Sequence, residues 1–91
     1  ANEVGKYNIT VNNILPGFTN TPRLSSLVEN MSKKQKKSVT EIKKNIINSV
    51  PLQRLGTVED IAYITSFLAS PKASYISGTN IPVDGGRTGS L

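Results

Sequence analysis

The segment Ile9-Thr10-Val11-Asn12-Asn13-Ile14-Leu15 is rich in β-branched residues and is closed by Pro16-Gly17, which marks a strand that ends abruptly. Its apolar residues fall on both faces, Ile9, Val11 and Leu15 on one and Ile14 on the other. That is the pattern of a strand buried in a parallel sheet rather than of a half-exposed hairpin. The other extended stretch is 79–83, Thr79-Asn80-Ile81-Pro82-Val83, where Pro82 suits an edge position or a strand whose donor is not needed. Two strands do not make a stable sheet alone. The expected fold is therefore α/β, with a long crossover between two parallel strands that belong to a larger sheet.

Three helices fill the crossover. Leu24, Leu27, Val28 and Met31 recur at i, i+3, i+4 and i+7, and Pro22 stands near the start of that helix. Ser38-Val39-Thr40-Glu41 has the spacing of a capping box ahead of Ile42, Ile46, Ile47 and Val50, and Pro51 is expected to end the helix. Thr57-Val58-Glu59-Asp60 repeats that logic ahead of Ile61, Ile64 and Leu68, and predicts a long helix over 57–70 that stops before Pro71. Ala1 to Lys6 reads as the last turn of a helix, closed by Gly5 or Asn8 in the left-handed conformation, so the chain is expected to be part of a longer one.

Composition removes several function classes. With no Cys and no His there is no thiolate or imidazole metal site, no cysteine nucleophile and no His-dependent triad. No apolar run approaches the roughly 20 residues needed to span a bilayer, and Ala1-Asn2-Glu3-Val4 lacks the basic start of a leader. A cytoplasmic protein is expected. The formal net charge of +5 lies wholly in one segment. Residues 23–50 hold seven basic side chains (Arg23, Lys33, Lys34, Lys36, Lys37, Lys43, Lys44) and two acidic ones (Glu29, Glu41), so 7 − 2 = +5, and the remainder is neutral. A charge run of this kind is ordinarily a solvated surface turn. No aromatic residue interrupts it, which argues against nucleic acid as the partner.

Four motifs carry a family resemblance. They are Ile9-x-Val11-Asn12-x-Ile14-x-Pro16-Gly17-Phe18-x-x-Thr21, Pro51-Leu52-x-Arg54-Leu55-Gly56-Thr57-x-Glu59-Asp60-Ile61-Ala62, Phe67-Leu68-Ala69-Ser70 with Tyr75-Ile76-Ser77-Gly78, and Val83-Asp84-Gly85-Gly86. Together they resemble the C-terminal third of a short-chain dehydrogenase/reductase, of the kind that includes the 3-oxoacyl carrier-protein reductases. The resemblance implies that residues 1–91 are the C-terminal segment of one NAD- or NADP-binding Rossmann-type domain, a doubly wound parallel sheet to which this chain gives the last two strands and the lid helices. It implies hydride transfer between nicotinamide and a carbonyl or alcohol, or an acyl thioester, in a homo-oligomer, tetramer or dimer.

By motif position the resemblance makes Pro16, Gly17, Phe18, Thr19 and Thr21 cofactor contacts, although the family often has Ile where Thr19 stands. Ligands in open α/β sheets bind beyond the carboxyl ends of the strands, which is where this loop lies. Gly17 allows a close backbone approach to a flat ring, and the Thr21 hydroxyl and following amides can bond a carboxamide or phosphate. Residues 23–50 correspond to the substrate lid, in which Leu24, Leu27, Val28 and Met31 either line an apolar pocket or form plain core. Arg54-Leu55-Gly56 is expected to tie the lid to the sheet, and Val83-Asp84-Gly85-Gly86 to lie in a subunit contact.

The family's Tyr-x-x-x-Lys dyad is not here: Tyr7, Tyr63 and Tyr75 are followed four residues on by Val11, Phe67 and Thr79. No catalytic residue is expected in this segment. Gly85-Gly86-x-x-Gly89 has too little chain after it to open a phosphate-binding helix and reads as a turn and tail. Two other functions are set against the enzyme: a basic segment that docks an acidic protein such as an acyl carrier protein, or the phosphates of coenzyme A, and a nucleic-acid module supported by charge alone.

Overall fold

The computed structural model describes residues 1–88; the Gly89 of the glycine pattern lies outside them. The elements run β1 (Asn13–Pro16), α1 (Pro22–Gln35), α2 (Val39–Asn48), α3 (Val58–Leu68) and β2 (Asn80–Val83), with short 3-10 turns at Gly5–Tyr7 and Pro71–Ala73. β1 and β2 pair in parallel, Asn13 opposite Asn80 and Pro16 opposite Val83. The crossover therefore passes through three helices before the chain returns, as the two-face pattern of β1 requires.

β1 is shorter than expected, beginning at Asn13 rather than Ile9. Residues 9–12 make one backbone bond across to the other extended stretch, the Gly78 N–H donating to the Val11 carbonyl at 2.7 Å, and are otherwise held by side chains. The Asn12 amide accepts from the Thr79 N–H at 3.1 Å and from its hydroxyl at 2.6 Å, and donates to the Ile76 carbonyl at 3.0 Å. Ile9, Val11 and Leu15, expected inside a sheet, are exposed, because no element of the chain packs on them. Asn8 rather than Gly5 takes the left-handed conformation that closes the first turn, at φ 62°.

Each helix starts on a side-chain cap. The Thr21 hydroxyl oxygen accepts from the Leu24 N–H, with Pro22 at the first helical position. Ser38 accepts from the Glu41 N–H, although only this half of the expected box is formed. Thr57 and Asp60 make the full reciprocal box. α1 runs into the lysine segment and stops at Lys36, which turns left-handed at φ 53°. Lys33 and Lys34 thus occupy the last helical turn, favourable to the helix dipole, and only Lys36 and Lys37 form the expected surface turn. α2 ends at Asn48 instead of reaching Val50, because Ser49 caps it through the carbonyls of Asn45 and Ile46 and the residue before Pro51 must leave the helical region. α3 covers 58–68, shorter than 57–70, with Ala69 as its last cap.

The core is small. Leu24 and Val28 of α1 pack on Ile42 and Ile46 of α2, with Phe18, Met31 and Leu55 against their edge. Ile42 is the largest fully enclosed side chain, 1% exposed. α3 buries no residue.

Candidate functional site

The loop from Pro16 to Thr21 leaves the carboxyl end of β1 and crosses the end of β2. Its position is fixed by backbone bonds: the Gly17 N–H donates to the Val83 carbonyl at 3.0 Å, the Gly56 N–H to the Phe18 carbonyl at 2.9 Å, and the Asn20 N–H to the Gly56 carbonyl at 2.8 Å. The last two form an isolated parallel bridge between Thr19 and Gly56. This is the tie from Arg54-Leu55-Gly56 back toward the sheet. Arg54 anchors it further, its guanidinium 3.0 Å from the Asp60 carboxylate and 3.1 Å from the Leu55 carbonyl.

Gly17 is required here for a reason the sequence does not show. A Cβ at this position would lie 2.6 Å from the Asp84 Cβ and 2.7 Å from its Cα, so the close approach is to the turn after β2. Asp84 in turn accepts from the N–H groups of Gly86 and Thr88. The Thr88 amide, followed by that of Gly86, holds its carboxyl below the ordinary value. For Asp60 the Thr57 backbone amide is the main cause of a similar depression, with the Arg54 guanidinium beside it.

Bracketed between its two neighbours' bonds to Gly56, Thr19 keeps its own N–H without an acceptor among the described residues, and so do Phe18 and Thr21. The Thr19 hydroxyl donates to the Gly17 carbonyl at 3.1 Å. The Thr21 hydroxyl oxygen receives the Leu24 N–H, which leaves its proton available. Arg87 stacks on the Phe18 ring, guanidinium carbon 4.7 Å from the centroid.

Pro16, Gly17, Phe18, Thr19 and Thr21 all line one open groove of about 590 Å³, together with Arg23, Leu24 and Leu27 of α1 and Ile61 of α3. Of the four apolar α1 residues, Leu24 and Leu27 reach this groove, while Val28 and Met31 turn to the core. Pattern reading missed Arg23 and Ile61 as lining residues and Arg87 as the partner of Phe18. Arg23 sits one turn before Leu27, a spacing that signals a shared face; Ile61 and Arg87 are brought in by tertiary contacts alone.

The family model described as Enoyl-(Acyl carrier protein) reductase matches residues 1–88. The chain belongs to this family, within the short-chain dehydrogenases/reductases. It is 40% identical over 89 residues to the NADPH-dependent reductase BacG of Bacillus subtilis, covering 98% of this chain and 34% of that protein. It is 40% identical over 86 residues to the 3-oxoacyl-[acyl-carrier-protein] reductase MabA of Mycobacterium tuberculosis, covering 94% and 30%. The solved structure of a short chain dehydrogenase family protein from Francisella tularensis superposes with a TM-score of 0.93 at 32% identity, over 99% of this chain and 37% of that one. The chain thus spans about a third of the length of the family members it matches, and shares with the structural neighbour an α/β fold of the Rossmann type. No helix among the described residues is long and apolar enough to cross a membrane.

Proposed function

We propose that residues 1–91 are the C-terminal segment of an NAD- or NADP-dependent oxidoreductase of Rossmann type, with the Pro16–Thr21 loop as nicotinamide seat and residues 23–50 as substrate lid. The observation that carries this is the convergence of Pro16, Gly17, Phe18, Thr19 and Thr21 on one groove at the carboxyl edge of a parallel pair. The NADPH dependence printed in the name of BacG supports the cofactor class.

The donor set fits a nicotinamide carboxamide. The free N–H groups of Phe18 and Thr19 can donate to its oxygen, and the Thr21 hydroxyl can place its proton on a ligand acceptor while still capping α1. When bound, the nicotinamide supplies or takes the hydride at a carbonyl or alcohol carbon. Leu24, Leu27 and Ile61 give that carbon a water-poor wall. Proton transfer falls to the family's Ser, Tyr and Lys, which this segment does not supply. The enzyme would act in the cytoplasm as a homo-oligomer, tetramer or dimer, with Val83–Gly86 in a subunit contact, as the family resemblance implies.

Binding of NADPH and NADH to the full-length protein, read by nicotinamide fluorescence, tests the reading. Thr21→Val is expected to weaken the preferred cofactor by about tenfold, the worth of one good hydrogen bond. No binding of either nicotinamide would overturn it.

A second reading is favoured by one observation: Lys33, Lys34, Lys36, Lys37, Lys43 and Lys44 are all exposed, and none is in an ion pair among the described residues. Such a surface suits an acidic protein partner, and MabA is named for an acyl-carrier-protein substrate. Replacing Lys33, Lys34, Lys36 and Lys37 by Gln should then raise KM for a carrier-bound substrate at low salt, and leave it alone at high salt.

A further inference from the structure

We infer that Arg23 selects a substrate with an anionic group, a carboxylate or a phosphate, beside the candidate nicotinamide seat; this rests on the reading of that loop given above. Among the described residues, Arg23 is the one charged residue lining the groove. It stands one helical turn before Leu27, so the face of α1 turned to the groove is cationic at its N-terminal end and apolar beyond it.

The three arginines differ in how they are engaged. Arg54 is paired with Asp60, and Arg87 is stacked on Phe18. Arg23 has neither a hydrogen bond nor an ion pair among the described residues, and its side chain is exposed. A guanidinium presents a planar fork of donors matched to carboxylate or phosphate oxygens. The other side chains that line the groove among the described residues are apolar or hydroxylic, with no carboxylate to neutralise it. An uncharged substrate would leave that fork to water and gain nothing from it. A carbonyl compound with an anionic end and an apolar body matches both parts of the face.

The test uses the full-length protein with two substrate pairs: levulinate against methyl levulinate for the carboxylate source, and dihydroxyacetone phosphate against dihydroxyacetone for the phosphate source. Wild type is expected to favour the anionic member of one pair at least tenfold in kcat/KM. Arg23→Met should lower that ratio tenfold or more, mainly through KM, and Arg23→Lys should restore part of it. Which pair responds identifies the anion. Helical circular dichroism, unchanged in both variants, separates this from unfolding. Titration of levulinate and of inorganic phosphate, followed by the amide shifts of Thr21, Arg23 and Leu24, gives a readout that needs no turnover. If no nicotinamide is oxidised with any substrate but these shifts saturate and vanish in Arg23→Met, the oxidoreductase reading fails and the anion site stands. A ratio of anionic to neutral turnover that Arg23→Met does not change, or an absence of saturable shifts with both anions, overturns the inference.

Discussion

α1 and α2 bury their apolar residues against each other, whereas α3, with Val58, Ile61, Ala62, Tyr63, Ile64, Phe67 and Leu68, is the more apolar helix and buries none. The same contrast divides the strands from the lid candidate: Ile9, Val11 and Leu15 are exposed beside a helical pair whose centre, Ile42, is enclosed. A helix this apolar that is only half-buried, at Ile61, Ile64 and Leu68, next to strands apolar on both faces, suits packing against further layers. The dimensions agree. The radius of gyration is 16.7 Å, against about 12 Å for a compact domain of this length. The α1–α2 pair packs on itself, whereas the strand–α3 part is expected to form one side of a larger sandwich.

The largest expected effect breaks the half that packs on itself. Ile42→Ala truncates the largest fully enclosed side chain and should cost about 2–5 kcal/mol of α1–α2 stability. Hydrogen exchange should show protection lost in α1 and α2 and retained at the Asn13–Pro16 ladder. Equal loss in both regions would mean that they fold as one unit and that the contrast is false.

Next comes the lock between the two strand ends. Gly17→Ala puts a methyl group against the Asp84 backbone, so the loop or the turn after β2 must move. A stability cost of about 1–3 kcal/mol follows from such overpacking, with weaker nicotinamide binding in the full-length protein. If the substitution is neutral in both respects, Gly17 is not the point at which the two strand ends lock together.

How much of this was legible depended on the range of the contact. Capping residues announce themselves within four positions, so Ser38, Thr57 and Asp60 were readable, and so were the strand–helix order and the parallel crossover. Thr21 shows in the sequence only as a ligand contact, because its cap is hidden behind Pro22 in a motif that also suits a loop. The meeting of Gly17 with Asp84, the bridge of Thr19 to Gly56 and the stacking of Arg87 on Phe18 join residues dozens of positions apart, and no local pattern encodes them. For the same reason the α1 stripe could not be divided in advance. Leu24, Leu27, Val28 and Met31 share one period, and only the place of α2 decides that Val28 and Met31 face the core while Leu27 faces the groove.

A smaller effect separates the capped start of α3 from its uncovered body. Thr57→Ala removes one half of the capping box and should cost about 1 kcal/mol of α3 stability. The partner carboxylate adds a pH dependence of known sign. The Thr57 amide and Arg54 lower the folded value of Asp60, so its contribution is complete above the ordinary carboxylate range and is lost as pH falls through the lowered value. Protection of the Thr57 and Asp60 amides, their exchange taken relative to the unstructured rate at each pH, should fall in the wild type from neutral pH into that acid range. Asp60→Asn should flatten the profile; a wild-type profile already flat would show that the box does not hold the helix start.

The smallest effect tests the uncovered half most directly. Phe67 on α3 is 41% exposed, and no core residue packs against it within the chain. In residues 1–91, Phe67→Ser should therefore change stability by about 0.5 kcal/mol or less, as for an ordinary surface position. In the full-length protein, where the strand–α3 face is expected to meet further layers, the same change creates a cavity and should cost several times more. Urea denaturation of both forms gives the two numbers. A large cost in the short chain would mean that α3 finds its cover locally, and the sheet half would then need nothing from outside to close its core.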